Sequence, residues 1–441
     1  MRHRSADAPD GDAGRTGRER RSTRRRTAVI GGGVAGLTAA YVLSRERPVV
    51  LYEADGRLGG HAHTHDLTSS DGRLHRVDSG FIVHNHRTYP NLLRLFAELG
   101  VATQESEMSM SVRCEGCGLE YAGARGPAGL FARPRNALRV PYLRMLGEVP
   151  AFHRAARRLL DQDGDDTLTL GEFLASQRFS PYFTRHFMTP LVSAVWSCDA
   201  ATARRYPAAY LFRFMDHHGM LSVGDSPAWR TVTGGSRSYV EKLAKELDAA
   251  HTSTPVRSVR RHADGVDITT EDGATASYSS VVIAVHPDQA LRLLADPTHR
   301  EREVLGAFRY SRNSTLLHTD TALLPRARGA RASWNYLMPD CETDADRVRV
   351  SYDMNRLQRL DAPETYVVTL GGEDRVDPAR VLARMEYEHP VYTPESVAAQ
   401  RQLPALNSPV TAYAGAYHGW GFHEDGCRSG AEAAEALGVT W

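Results

Sequence analysis

The stretch Thr27-Ala28-Val29-Ile30-Gly31-Gly32-Gly33-Val34-Ala35-Gly36, continued by Leu37 to Ser44, decides the fold. Four apolar or β-branched residues suit a buried parallel strand, the glycines a turn, and the residues after them a helix. Each spaced glycine has a mechanical task in a dinucleotide-binding crossover. Gly31 permits the tight turn, Gly33 lets a pyrophosphate approach the backbone, and Gly36 lets the helix lie against the strand. The amides and positive dipole end of that helix then face the phosphates. Pro48-Val49-Val50-Leu51-Tyr52 reads as the next strand and ends in Glu53, an acid placed to accept hydrogen bonds from both ribose hydroxyls of an adenosine.

Such a turn serves several dinucleotides, and the residues after it discriminate among them. Glu53-Ala54-Asp55-Gly56-Arg57-Leu58-Gly59-Gly60 matches the ExxxRxGG signature. The chain therefore resembles the flavoprotein superfamily of amine oxidases, protoporphyrinogen oxidases and carotenoid desaturases. The resemblance implies FAD as cofactor, with Arg57 contacting the pyrophosphate and Gly59 and Gly60 letting the chain pass close to the flavin. A second motif lies near the other end, where Thr411 to Gly415 closes a strand and Gly421 to Leu437 forms a loop running into an Ala-rich helix. Its residues Gly421-Phe422-His423-Glu424-Asp425-Gly426 resemble the superfamily's C-terminal flavin motif, in which a helix N-terminus points at the pyrimidine edge of the ring. The acid common two residues after Gly415 is replaced by Tyr417, so Glu424 or Asp425 is expected to supply the ribityl hydrogen bond. Val256, by the same resemblance, lines the adenine pocket.

The length of 441 residues and a hydrophobic content of 41% allow two or three ordinary domains and exclude a fibrous or disordered chain. The expected fold is α/β, a Rossmann-type FAD-binding domain interleaved with an α+β substrate domain. The FAD-binding domain is assigned residues 27–85, 231–292 and 404–441; the substrate domain is assigned 86–230, which looks mainly helical, and 293–403. Strands are expected at Pro255–Val259, Val266–Thr270, Val281–Val285, Ser333–Met338, Val348–Met354 and Thr365–Leu370.

The net charge of +1 conceals an uneven distribution, because residues 1–26 hold nine Arg against Asp7, Asp10, Asp12 and Glu19. That segment has too little apolar surface to offset its ordering entropy and reads as a disordered Arg-rich tail. No nucleic-acid partner is expected from it. Arg20-Arg21 is followed by a folded-domain strand rather than an export signal, and no run of about 18 apolar residues occurs. A cytoplasmic protein without an integral membrane segment is expected, with peripheral membrane contact left open.

Five scattered cysteines, Cys114, Cys117, Cys198, Cys341 and Cys427, fit a reducing compartment rather than a disulfide framework. Cys114 and Cys117 form a CxxC, and a zinc site needs two further ligands, so a hairpin turn is preferred. His61, His63 and His65 would share one face of an extended strand, a spacing a metal could use. The preferred reading packs His61 near the flavin and leaves the other two to solvent or backbone groups, and no metal is assigned.

Several stretches resemble one bacterial branch of the superfamily, known as predicted NAD/FAD-binding oxidoreductases: Asp78 to Val83, Tyr89 to Val101, Trp229 to Arg237 and Gly421 to Gly430. Members of that branch resemble desaturases linked to fatty-acid methyltransferases. The resemblance implies hydride transfer from a modified fatty-acyl or other apolar substrate to flavin N5, with a lipid methyltransferase as a partner. Flavin-dependent amine oxidation, redox-neutral isomerisation and a non-catalytic FAD-bound role beside the methyltransferase are the alternatives. Amine oxidases of the superfamily often carry a lysine near flavin N5, whereas here only Lys242 and Lys245 exist, on an amphipathic helix. His61 and Phe422 are the candidates for the substrate side of the ring.

Overall fold

In the computed structural model, residues 26–162, 167–222, 224, 226–341 and 348–441 are described. The Arg-rich segment 1–25 lies outside them.

Thr27–Ile30 is buried along its whole length and runs between two parallel neighbours, Val49–Tyr52 and Ser280–Ile283. Ala249–His251 and Thr411–Tyr413 complete a five-stranded parallel sheet at its two edges. Alternation along the strand assigns its residues to two layers. Val29 joins a core with the Val34–Ser44 helix, Tyr239, Val240 and the Ala433–Ala434 stretch of the last helix. Ala28 and Ile30 face a second core, with Val259, Val266 and Ile268 from a three-stranded antiparallel sheet. The fully buried strand hydroxyls of Thr27 and Ser280 satisfy each other at 2.9 Å.

The last helix, His423–Ala436, lies directly on Val34–Ser44, and glycines make this possible. A Cβ on Gly430 would stand 2.3 Å from the Ala35 carbonyl oxygen, and one on Gly426 2.7 Å from a Val34 methyl. The two helices that bound the dinucleotide turn thus touch backbone to backbone.

A seven-stranded sheet forms the second layer system, in the order Val381–Val391, Arg309–His318, Val367–Leu370, Val350–Asp353, Trp334–Met338, Met110–Cys114, Glu120–Ala122. All pairs are antiparallel except Trp334–Met338 with Met110–Cys114. Helices within residues 140–217 pack on it through an aromatic core that includes Phe152, Phe173, Phe183 and Phe212. Residues 86–230 are mainly helical, as expected, and also contribute two strands to this sheet, Met110–Cys114 and Glu120–Ala122. A third, Thr103–Glu105, joins Val83–Asn85 and Trp229–Val232 in a small sheet that crosses the boundaries assigned at 85/86 and 230/231. Among the described residues no helix is long and apolar enough to cross a membrane.

Candidate functional site

The glycine turn between Ile30 and Val34 is built by contacts that leave no choice of residue. Gly31 has φ +103°, and a Cβ there would meet the Ala284 carbonyl oxygen at 2.4 Å. A Cβ on Gly36 would lie 1.9 Å from the Gly31 carbonyl oxygen, so only glycine lets the helix sit this close to the strand end. Gly33 is the opposite case. It opens the helix with φ −74°, and no protein atom lies within 4 Å of where its Cβ would be. Open space beside the first helical amides, which a helix cannot satisfy itself, is what a diphosphate requires.

Glu53 closes the Val49–Tyr52 strand and accepts from the Gly32 N–H at 2.6 Å and the Asp55 N–H at 2.8 Å. Its own carbonyl accepts from Thr254 N, which brings Val256 beside the same strand end. Gly59 N–H donates to the Gly32 carbonyl at 2.7 Å, drawing the Gly59-Gly60 bend over the turn. Both glycines have positive φ, and a Cβ on Gly60 would come 3.2 Å from Gly33 Cα. The Arg57 guanidinium folds onto this bend, donating to the Gly60 carbonyl at 2.7 Å.

His61 follows the bend, and its Nε2 is buried without a hydrogen-bond partner in the protein. Burial, reinforced by the neighbouring His389, holds its pKa well below the usual imidazole value, so the ring is neutral. Tyr387 and His389 stand 5.0 and 5.3 Å from it, ring centre to ring centre. His423, at the start of the last helix, stacks on Phe81 at 3.7 Å, and its Nε2 meets the Tyr239 hydroxyl at 3.1 Å. Burial depresses His423 to about 3 and His389 to about 4. The open space at Gly33 beside the helix N-terminus and the orphaned Nε2 of His61 fit the expected FAD. The contacts above bring Gly31, Gly33, Gly36, Glu53, Arg57, Gly59 and Gly60 together around the turn, and His61 follows directly on the bend.

His63 and His65 differ from expectation. Instead of facing solvent or backbone they join a hydroxyl chain: His63 Nδ1 to Tyr387 OH at 2.9 Å, Tyr387 OH to Ser79 Oγ at 2.7 Å, and Ser79 Oγ to His65 Nε2 at 2.8 Å.

The C-terminal motif also needs correction. Both oxygens of Glu424, expected to serve the ribityl chain, are engaged within the protein. Its carboxylate accepts from Asn91 N, Asn91 Nδ2 and Leu92 N, and so caps the Pro90–Glu98 helix. Asp425 accepts from the Phe422 N–H at 3.0 Å, and burial pushes its pKa up to about 6. Gly426 packs against Val34, and the Gly415 N–H meets Ser429 Oγ at 3.0 Å. The carboxylates thus shape the helix N-terminus.

Phe422 stacks on Phe214 at 4.9 Å and lines a cavity of about 520 Å³ with Tyr210, His218 and Trp420. None of the residues of the glycine turn lines this cavity. Four arginines, Arg87, Arg213, Arg401 and Arg428, line it against two carboxylates, Glu424 and Asp425. Neither lysine does: Lys242 Nζ donates to the carbonyls of Leu99 and Gly100, on the protein surface.

Sequence reasoning missed Tyr387 and His389, and a signal existed. Val381, Ala383, Met385, Tyr387, His389 and Val391 alternate with Arg384, Glu386 and Glu388, which is strand periodicity.

A profile described as "Flavin containing amine oxidoreductase" matches residues 34–319. The carotenoid phi-ring synthase of Streptomyces griseus is 29% identical over 296 residues, 61% of this chain and 53% of that protein. The (S)-6-hydroxynicotine oxidase of Paenarthrobacter nicotinovorans is 24% identical over 282 residues, 62% of this chain and 63% of that protein. The chain thus spans between about half and two thirds of these relatives. A crystal structure of a CLA-producing fatty acid isomerase from P. acnes shares the fold with a TM-score of 0.68 and 18% identity, over 93% of this chain and 97% of that one.

Proposed function

Because the chain belongs to the flavin-containing amine oxidoreductase family, we propose that it is a FAD-dependent oxidoreductase that dehydrogenates an apolar, anion-headed substrate of the fatty-acyl class rather than an amine. The observation that carries this reading is the composition of the cavity beside Phe422, an aromatic wall with four arginines against two carboxylates. Glu424 is engaged in a helix cap, and Asp425 accepts from the Phe422 N–H. A lining with more guanidinium than carboxylate groups suits a carboxylate or phosphate head better than an ammonium ion.

FAD, when bound, supplies the two-electron acceptor. On this reading the Gly31–Gly33 turn and Glu53 hold the nucleotide, and Phe422 orients the chain of the substrate. His61, neutral because it is buried, presents its unpartnered Nε2 to the substrate side of the flavin ring. The placement of the lysines supports the same choice, since Lys242 and Lys245 are the only two in the sequence and neither lines the cavity beside Phe422.

Anaerobic mixing of the holoenzyme with a methyl-branched fatty acid or its phospholipid, and separately with a primary amine, tests the proposal. Flavin bleaching by the acyl substrate alone is expected. Bleaching by the amine alone overturns it, and a rearranged acyl product without bleaching replaces it with a redox-neutral isomerase. Arg213→Gln should raise KM for the acyl substrate roughly tenfold with kcat little changed.

A further inference from the structure

The CxxC of the sequence stands at the tip of a hairpin between Met110–Cys114 and Glu120–Ala122, and the fold brings it two further soft ligands. The Sγ atoms of Cys114, Cys117 and Cys341 and a ring nitrogen of His186 all lie within 4.8 Å of one another. Cys114 Sγ and Cys341 Sγ are 3.4 Å apart, and Cys117 Sγ is 3.8 Å from His186 Nε2. The edges of a tetrahedron around zinc with Zn–S bonds of about 2.3 Å are about 3.8 Å. We infer that Cys114, Cys117, His186 and Cys341 form a structural zinc site.

Three independent features of the surroundings support it. The first is backbone shape. His186 lies in a π-helical turn, Thr184–Met188, between two α-helical segments, an insertion that redirects a side chain. Gly116 lets the loop carrying Cys341 reach the hairpin, because a Cβ there would stand 2.9 Å from Asp340 Cα.

The second is the orientation of the imidazole. His186 Nδ1 is 3.2 Å from the Tyr182 carbonyl oxygen, which places the proton on Nδ1 and leaves the Nε2 lone pair directed at the cluster. Metal-bound histidines are held in this way, with the second nitrogen donating to a carbonyl or carboxylate.

The third is charge. Three thiolates around Zn²⁺ leave a net charge of −1, and guanidinium groups surround it. Arg139 donates to the Cys117 carbonyl at 2.6 Å, Arg185 to the Cys341 carbonyl at 2.8 Å, and Arg135 to the Gly118 carbonyl at 2.8 Å. Four protein ligands leave no open coordination position, so the ion ties the hairpin, the π-helical turn and the 339–341 loop together and takes no part in redox chemistry. Binding releases the three thiol protons to solvent and changes no oxidation state.

The experiment is metal analysis of the flavin-loaded full chain, purified without chelator and reconstituted with zinc chloride under reducing conditions. The comparison set is Cys117→Ser and, as control, Cys198→Ser, whose thiol lies outside the cluster. About one zinc per chain is expected in the wild type and the control, falling at least fivefold in Cys117→Ser. Replacement by cobalt chloride should add d–d bands in the red, beyond the flavin absorption, a readout that needs no variant to fold. Zinc below about a tenth per chain in the reconstituted wild type overturns the site. So does an intact mass showing that Cys114 and Cys341 are joined as a disulfide under the same conditions.

Discussion

Gly33 and Gly36 open the same helix, yet a methyl group added at each meets opposite surroundings. At Gly36 it would strike the Gly31 carbonyl at 1.9 Å; at Gly33 it would enter space that no protein atom occupies. Gly33→Val should therefore leave the fold intact and abolish flavin retention, read as a colourless protein with the melting temperature of the flavin-free wild type. Gly36→Ala should lower stability by about 1–3 kcal/mol through forced displacement of helix from strand, visible as a lower melting temperature even with FAD in excess. Purification of Gly33→Val with full flavin would remove the assignment of this turn. These roles were legible because a glycine turn answers to the backbone immediately around it. The engagement of Glu424 was not: its partners Asn91 and Leu92 precede it by more than 330 residues, and no local pattern links them.

At the level of elements, Glu424 joins the start of one helix to the start of another. It belongs to the first turn of His423–Ala436 while satisfying the first amides of Pro90–Glu98, a helix with no cap of its own. Glu424→Ala should cost about 0.5–2 kcal/mol, the usual worth of an N-cap, while the flavin spectrum of the remaining folded protein is unchanged. A large fall in FAD affinity at constant stability would instead restore Glu424 to the cofactor. The central strands were readable from apolar runs, since a parallel strand buried on both faces cannot be polar. Val381–Val391 and Met110–Cys114 escaped because their alternation is diluted by Tyr, His, Arg and Glu. The strand Ala249–His251 is three residues at a sheet edge and carries almost no signal.

For the molecule as a whole, buried imidazoles dominate the response to acid. Burial lowers His84, His218 and His318 to about 4 each, and His389, His418 and His423 are likewise held at about 3 to 4. The unfolded chain takes up these protons near pH 6.5 and the folded one does not, so the stability they contribute is present above that pH and declines as pH falls towards 4. Asp78 and Asp425 act with the opposite sign. Burial raises both to about 6, so the folded state binds their protons first and gains relative stability as pH falls from about 6 to 4. The histidines outnumber them, and each contributes at most about 1.4 kcal/mol per pH unit. The melting temperature should therefore fall steadily between pH 6.5 and 4.5; a flat or rising profile would contradict the neutral, buried state of these rings.

The parallel sheet places Thr27–Ile30 beside Ser280–Ile283, and its edge is completed by Thr411–Tyr413, with the final helix lying on the first. During synthesis the turn at Gly31–Gly33 must wait for the strand Thr411–Tyr413 and the helix His423–Ala436 to leave the ribosome before its walls arrive. Nascent chains halted before residue 411 should accordingly remain protease-sensitive around the turn and unable to capture the vitamin-derived cofactor, making its acquisition wait on sequence far downstream of the turn that holds it.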